Sequence, residues 1–82
     1  MDIEQVRRMA RQMNKEAEAI EHAITMLTPR IEGAPWRGDD RNNFVGDWSR
    51  GHVPRLRNVV AGLRNAARLA NRQADEQMRA SN

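Results

Sequence analysis

The stretch Pro35-Trp36-Arg37-Gly38-Asp39-Asp40-Arg41-Asn42-Asn43-Phe44-Val45-Gly46-Asp47-Trp48 decides the fold. It holds both tryptophans and the single phenylalanine of the 82-residue chain. On either side lies a long segment whose apolar residues recur at helical spacing. The stretch therefore reads as the tip of a helical hairpin plus the first turns of its second helix, with the bend at residues 34–39. Gly33 and Pro35 are expected to stop the first helix, since glycine is a common C-terminal terminator and proline disfavours helix just before it. Gly38 allows backbone angles that residues with a Cβ rarely adopt. Asp39 or Asp40 is expected to cap the second helix and to place negative charge at its positive end.

Upstream of the tip, the spacing predicts a helix over residues 3–33. Asp2 is a fair N-cap, with Gln5 three residues on to answer it. Ile3, Val6, Ala10, Met13, Ala17, Ile20, Ile24, Leu27, Ile31 and Ala34 alternate steps of three and four without a miss. That is a seam of period 3.5, the pattern of left-handed helix-on-helix packing. The stripe is narrow, and Arg7, Arg8, Arg11, Lys15, Glu18 and Glu21 fill the other faces. Pro29 removes one backbone hydrogen bond inside this helix. The seam stays in phase through Ile31, so a bend near Thr25 is expected rather than a stop.

Downstream, a second helix is expected over residues 40–79. Phe44 and Trp48 are four apart and share a face. Leu56, Val59, Val60, Leu63, Ala66, Ala67, Ala70, Ala74 and Met78 continue the stripe. Large residues near the tip give way to small ones past Leu63, so the far half should pack closely against larger side chains. Gly51 and Pro54 mark a weak point at 51–54, either a kink or a break into two helices. The tail, Ala80 to Asn82, should fray. Two such helices bury one seam each. The second edge of each stripe, read as Met9, Ile20, Val45, Val60 and Ala67, is left for something else. The fold class expected is all-α: an antiparallel two-helix hairpin that pairs into a four-helix bundle.

Composition points the same way. One domain of this size buries little surface. The chain has no cysteine to brace it. A partner chain is then the remaining brace. No stretch is apolar for long enough to span a bilayer, and the polar start lacks the core of a cleavable signal peptide. Export would need a route that accepts folded or internally signalled cargo. The net charge is +3, and arginine carries almost all of the basic side, Lys15 being the single lysine. That balance permits binding to nucleic acid or an acidic surface without requiring it.

Trp36-Arg37-Gly38 is a Trp-X-Gly triplet between two helices in a chain of under a hundred residues. In length, layout and motif position the chain resembles the WXG family of small helical hairpins, the Esx-like proteins related to the early secreted antigenic target of mycobacteria. Phe44 and Trp48 match the aromatic and second tryptophan often found in the first turns of that family's second helix. The Trp-X-X-X-His-Val-Pro-X-Leu run from Trp48 to Leu56 looks like that of many actinobacterial members. The resemblance implies antiparallel homo- or heterodimers forming four-helix bundles. Their role would be cargo or co-cargo of type VII secretion, with itself or a paralogous small protein as mate and the secretion machinery as a further partner. It also implies a composite export signal, in which a Tyr-X-X-X-Asp/Glu motif of one subunit lies near the Trp-X-Gly turn of the other. This chain has no tyrosine. Asn71 stands four before Asp75 and Arg72 four before Glu76, so the acidic half stands without its aromatic. The protein is then either exported with a partner that supplies the signal or a non-exported adaptor in the cytoplasm.

Individual residues carry two readings each. Trp36 plugs the end of the bundle or contacts a partner or the secretion machinery, and these are compatible. Phe44 and Trp48 are read as core before contact. Gly38 is read as a backbone requirement before a ligand site. The hairpin or dimer seam is assigned to Ile3, Val6, Met13, Ile20, Ile24, Leu27 and Ile31, facing Leu56, Val59, Leu63, Ala66 and Ala70. Arg57, Arg64, Arg68, Arg72 and Arg79 form a basic stripe away from Leu56, Val59 and Leu63. It is read first as a solvated surface paired with Glu16, Glu18 and Glu21, and second as a phosphate-binding ridge of a nucleic-acid module. No aromatic residue interleaves the arginines, which counts against the second. His22 falls on the polar side, and His52 is placed to enter the seam. Two histidines without cysteine do not make a metal site, and no cofactor is expected. No nucleophile stands with a base and orienting acid, and no phosphate loop occurs, so no enzyme is expected.

Overall fold

A computed structural model describes residues 1–81 and is helical almost throughout. Helix α1 spans Ile3–Gly33, α2 spans Asp40–Asp47, a five-residue π turn spans Trp48–His52, and α3 spans Val53–Ser81. The last three run on from one another, so two long rods double back at residues 34–39 as an antiparallel hairpin. The molecule is 66 × 16 × 12 Å.

Local chemistry sets the helix ends. The Asp2 carboxylate accepts from the Gln5 N–H at 3.1 Å and starts α1. α1 passes through Pro29 without interruption and ends at Gly33. Its stop comes from Pro35 rather than from Gly33. Ala34 is extended, φ −67° and ψ 150°. The residue before a proline is pushed to such angles. Gly38 has the one positive φ among the described residues, +56°. Asp39 does stand at the start of α2, but its side chain makes no capping hydrogen bond there. Its contribution is charge alone.

The weak point near Gly51 and Pro54 is not a break into two separate helical rods. Pro54 has no N–H to donate to the Arg50 carbonyl, and its ring would crowd that carbonyl in an α-helix. The chain answers by widening one turn, as π bulges do. The Val53 N–H donates to the carbonyl of Trp48, five residues back, and the rod resumes as α3. α3 is helical through Ser81, two residues beyond the expected end of the second helix at 79; Asn82 lies outside the described residues.

The core is methyl-sized. Ala10, Ala17, Ala67 and Ala74 are fully buried, with Ala70, Val60 and Ile24 nearly so. The buried residues Ala10, Ala17 and Ile24 in α1, and Val60, Ala67 and Ala74 in α3, each recur at seven residues. That repeat is what a two-helix seam requires. Around Ala10, Ala67 and Ala70 the larger Val6 and Met13 close the packing. Val60 and Ala67 thus lie inside the hairpin seam, not on its outer edge as the stripe suggested. The free edge is occupied instead by Leu27 and Val59, which are 41% and 50% exposed. Of the other seam residues, Ile3, Val6, Met13, Ile20, Ile31, Leu56, Leu63 and Ala66 are half-buried.

Candidate functional site

Two long faces and a tip follow from this register. A helix turns about 100° per residue, so positions three and four beyond a buried residue lie on opposite flanks of it. In α1 the residues four beyond each buried position are Asn14, Glu21 and Thr28, while those three beyond are Met13, Ile20 and Leu27. In α3 the residues four beyond are Arg64, Asn71 and Met78, and those one before are Val59, Ala66 and Gln73. Cross-hairpin polar contacts all fall on the first flank. Arg7 pairs with Asp75 at 2.8 Å, Arg64 with Glu21 at 3.3 Å, and the Trp48 indole N–H donates to the Thr28 hydroxyl at 2.9 Å. One broad face is therefore polar. The other carries Met9, Met13, Ile20, Leu27, Leu56, Val59, Leu63 and Ala66, with Glu16 the acid among them.

That apolar face is left open by the hairpin itself. Met9, Leu27 and Val59 are 47%, 41% and 50% exposed. A compact folded monomer of this mass exposes about 5,000 Å². This chain exposes 6219 Å². Its radius of gyration is 18.6 Å. A compact domain of this length has a radius of about 12 Å. The excess area of about 1,200 Å² comfortably exceeds the roughly 800 Å² that one partner hides in a standard interface.

At the tip, both tryptophans are tied back to α1. The Trp36 indole N–H donates to the Ile31 carbonyl at 2.6 Å, and the Arg41 Nε donates to the Glu32 carbonyl at 3.2 Å. Both acceptors belong to the last turn of α1, where carbonyls lack partners within the helix. The Thr28 hydroxyl, which accepts from Trp48, donates onward to the Ile24 carbonyl at 2.7 Å. Trp36 stacks on Phe44 with ring centroids 4.7 Å apart and planes 27° off parallel. Phe44 is 46% exposed, so it is not the core residue that its spacing suggested. It is held by Trp36 rather than by the opposite helix. Trp36 and Trp48 are half-buried, and both indole donors are spent inside the chain. Whatever meets this tip meets ring faces, not N–H groups.

The remaining candidates resolve as follows. His52 is exposed, its ring 6.2 Å from that of Trp48, and does not enter the seam; His22 is exposed too. Gly46 is buried because the Arg50 guanidinium lies across it where a Cβ would stand. Its neighbours Asp47, Arg50, His52 and Arg55 line an open notch beside the π turn. Sequence reasoning missed Gly46, although a glycine four before an arginine in a helix is a signal for such a fold-back. Of the expected acid partners for the arginine stripe, Glu21 alone pairs with it, through Arg64; Glu16 instead accepts from Gln12 at 2.9 Å. Among the described residues no group of histidine or acidic side chains is arranged to hold a metal ion. Nor is any helix long and apolar enough to cross a membrane.

Comparison with family models, with curated proteins and with solved structures returned no match to this chain.

Proposed function

We propose that this protein is a non-enzymatic interaction module of the WXG type, a hairpin that pairs with a second hairpin and serves as cargo, co-cargo or adaptor of type VII secretion. The observation that carries the pairing is the uncovered apolar face, Met9 to Leu27 on α1 and Leu56 to Ala66 on α3, on a rod whose own core is built of methyl groups. Laid face to face with a second such rod, it completes a four-helix bundle. The mate is another copy or a paralogous small hairpin. The Trp36-Arg37-Gly38 turn, with Phe44 stacked on it, is the family-like feature, and it offers an apolar end for the mate or the secretion machinery.

Sedimentation at micromolar concentration tests the pairing. A dimer, alone or on adding a neighbour-encoded hairpin, is expected; a folded, stable monomer in both cases refutes it. Export is tested separately in the native host, by following the protein in culture medium with and without a working type VII secretion machinery. Machinery-dependent appearance in the medium makes it cargo or co-cargo. Retention in the cell while it still pairs makes it the adaptor, in keeping with the absent tyrosine.

A further inference from the structure

The polar face carries a charge arrangement that pairing does not use. From Trp48 to Ala74 the chain contains six arginines and not one aspartate or glutamate. Arg64 is engaged with Glu21. Arg57, Arg68 and Arg72 have no acidic partner among the described residues, and all three are exposed. Arg68 is steadied by the amide oxygen of Asn65 one turn back. Counted from the buried Val60 and Ala67 at about 100° per residue, all three project to the side of Arg64, away from the apolar face. Of the acids on that side, Glu21 is held by Arg64 and Asp75 by Arg7, while Glu4, Glu18 and Glu32 of α1 make no ion pair and none of them pairs with Arg57, Arg68 or Arg72.

We propose that this ridge is a second functional surface, which binds the phosphate backbone of double-stranded nucleic acid without regard to sequence. From Arg57 to Arg72 the ridge runs about 22 Å along a straight helix. A straight, stiff row of guanidiniums matches a straight, stiff polyanion, and guanidinium forks suit phosphate oxygens. A single strand would need aromatic platforms for its bases. None stands among these arginines. An anionic bilayer would need large apolar residues to insert beside the charges. Ala61, Asn65 and Asn71 occupy the ridge instead, and Leu69, 44% exposed, is the single large apolar residue beside it between Arg57 and Arg72. This binding does not depend on the proposed pairing, because the two use opposite faces. Sedimentation reads one and nucleic-acid binding the other, so either fails without the other.

The test is fluorescence anisotropy with a short labelled DNA duplex of arbitrary sequence, using the full chain. With about three phosphates engaged, affinity should fall about 40-fold between roughly 50 and 200 mM salt. The triple variant Arg57→Gln, Arg68→Gln, Arg72→Gln should lose duplex binding and its salt dependence while keeping helix content and sedimentation. The triple lysine variant, which keeps the charge, should retain most of the binding and covers the case in which the glutamine variant folds poorly. Absence of binding at the lower salt, equal binding by a folded glutamine variant, or tighter binding to single-stranded DNA or phosphatidylserine vesicles would each overturn the proposal.

Discussion

Replacing Leu27 and Val59 together by serine tests whether the apolar face is a paired surface. Leu27 is 41% exposed and Val59 50% exposed in the lone hairpin, so about half of each side chain's burial is still to be gained. Full burial of such a side chain stabilises by about 1.5–3 kcal/mol, which leaves about 1 kcal/mol for each residue on pairing. A symmetric pair carries each substitution twice, for a total of about 4 kcal/mol, or roughly a thousandfold in Kd at about 1.4 kcal/mol per factor of ten. With a paralogous mate only one chain is altered, and the loss falls to about 2 kcal/mol, roughly 30-fold. The size of the effect therefore separates a self-pair from a mixed pair. Sedimentation velocity across the micromolar range measures it. The control is Glu18→Ser with Arg68→Ser, two exposed residues of the opposite face, which should leave Kd unchanged. An unchanged Kd in the Leu27, Val59 variant, or an equal loss in the control, would refute the assignment of the face.

Three further outcomes follow from named contacts. Ile24 is 6% exposed in the middle of the seam. Ile24→Asp buries a charge without a partner, which costs several kcal/mol and should abolish cooperative melting followed by circular dichroism; a normal melt would remove Ile24 from the seam. Gly38 sits at φ +56° with open space where a Cβ would go. Gly38→Ala should therefore cost about 1–2 kcal/mol through the backbone alone, and Gly38→Asn less. Equal melting of the wild type and the alanine variant would count against the turn geometry. Trp48→Phe and Thr28→Val each remove the same hydrogen bond. Each should cost about 1 kcal/mol, with the double variant costing little more than either single one; fully additive losses would mean that the two side chains are not coupled.

The hairpin was legible because its evidence is periodic. Ten apolar residues from Ile3 to Ala34 keep the seam in phase, and Pro35 with Gly38 marks the bend. What periodicity does not carry is which side of each stripe turns inward. Val59 and Val60 are equally apolar neighbours, yet Val60 is buried and Val59 half exposed. The difference is settled across the hairpin, by Arg64 reaching Glu21 and Trp48 reaching Thr28, contacts between residues far apart in sequence. The π turn was half legible: Pro54 signals that one hydrogen bond is missing, but not that the chain keeps its direction by adding a residue to the turn. At the tip, Trp36 and Phe44 could be named from sequence, while their stacking depends on Gly38 folding the bend back over α1.

The same contacts explain why the two faces differ so sharply in chemistry. In a rod 12–16 Å thick, no side chain lies far from water, and large residues cannot be enclosed by two helices alone. Alanines at the centre bring the helices close, and polar residues on one flank fix how they slide and rotate against each other. Arg7 with Asp75, Glu21 with Arg64 and Thr28 with Trp48 are spread from the open end to the tip, one on each third of the rod. The two exposed ion pairs contribute about 0–1 kcal/mol each and the neutral Trp48–Thr28 hydrogen bond about 1 kcal/mol, too little to hold the rod together but enough to choose among registers of similar packing. The flank that sets the register must stay in water for these pairs to form cheaply, since buried ions carry a desolvation cost of several kcal/mol. That leaves the opposite flank, free of such constraints, to carry Met13, Ile20, Leu27, Leu56 and Leu63. Register on one side and a docking surface on the other are thus two consequences of one thin core.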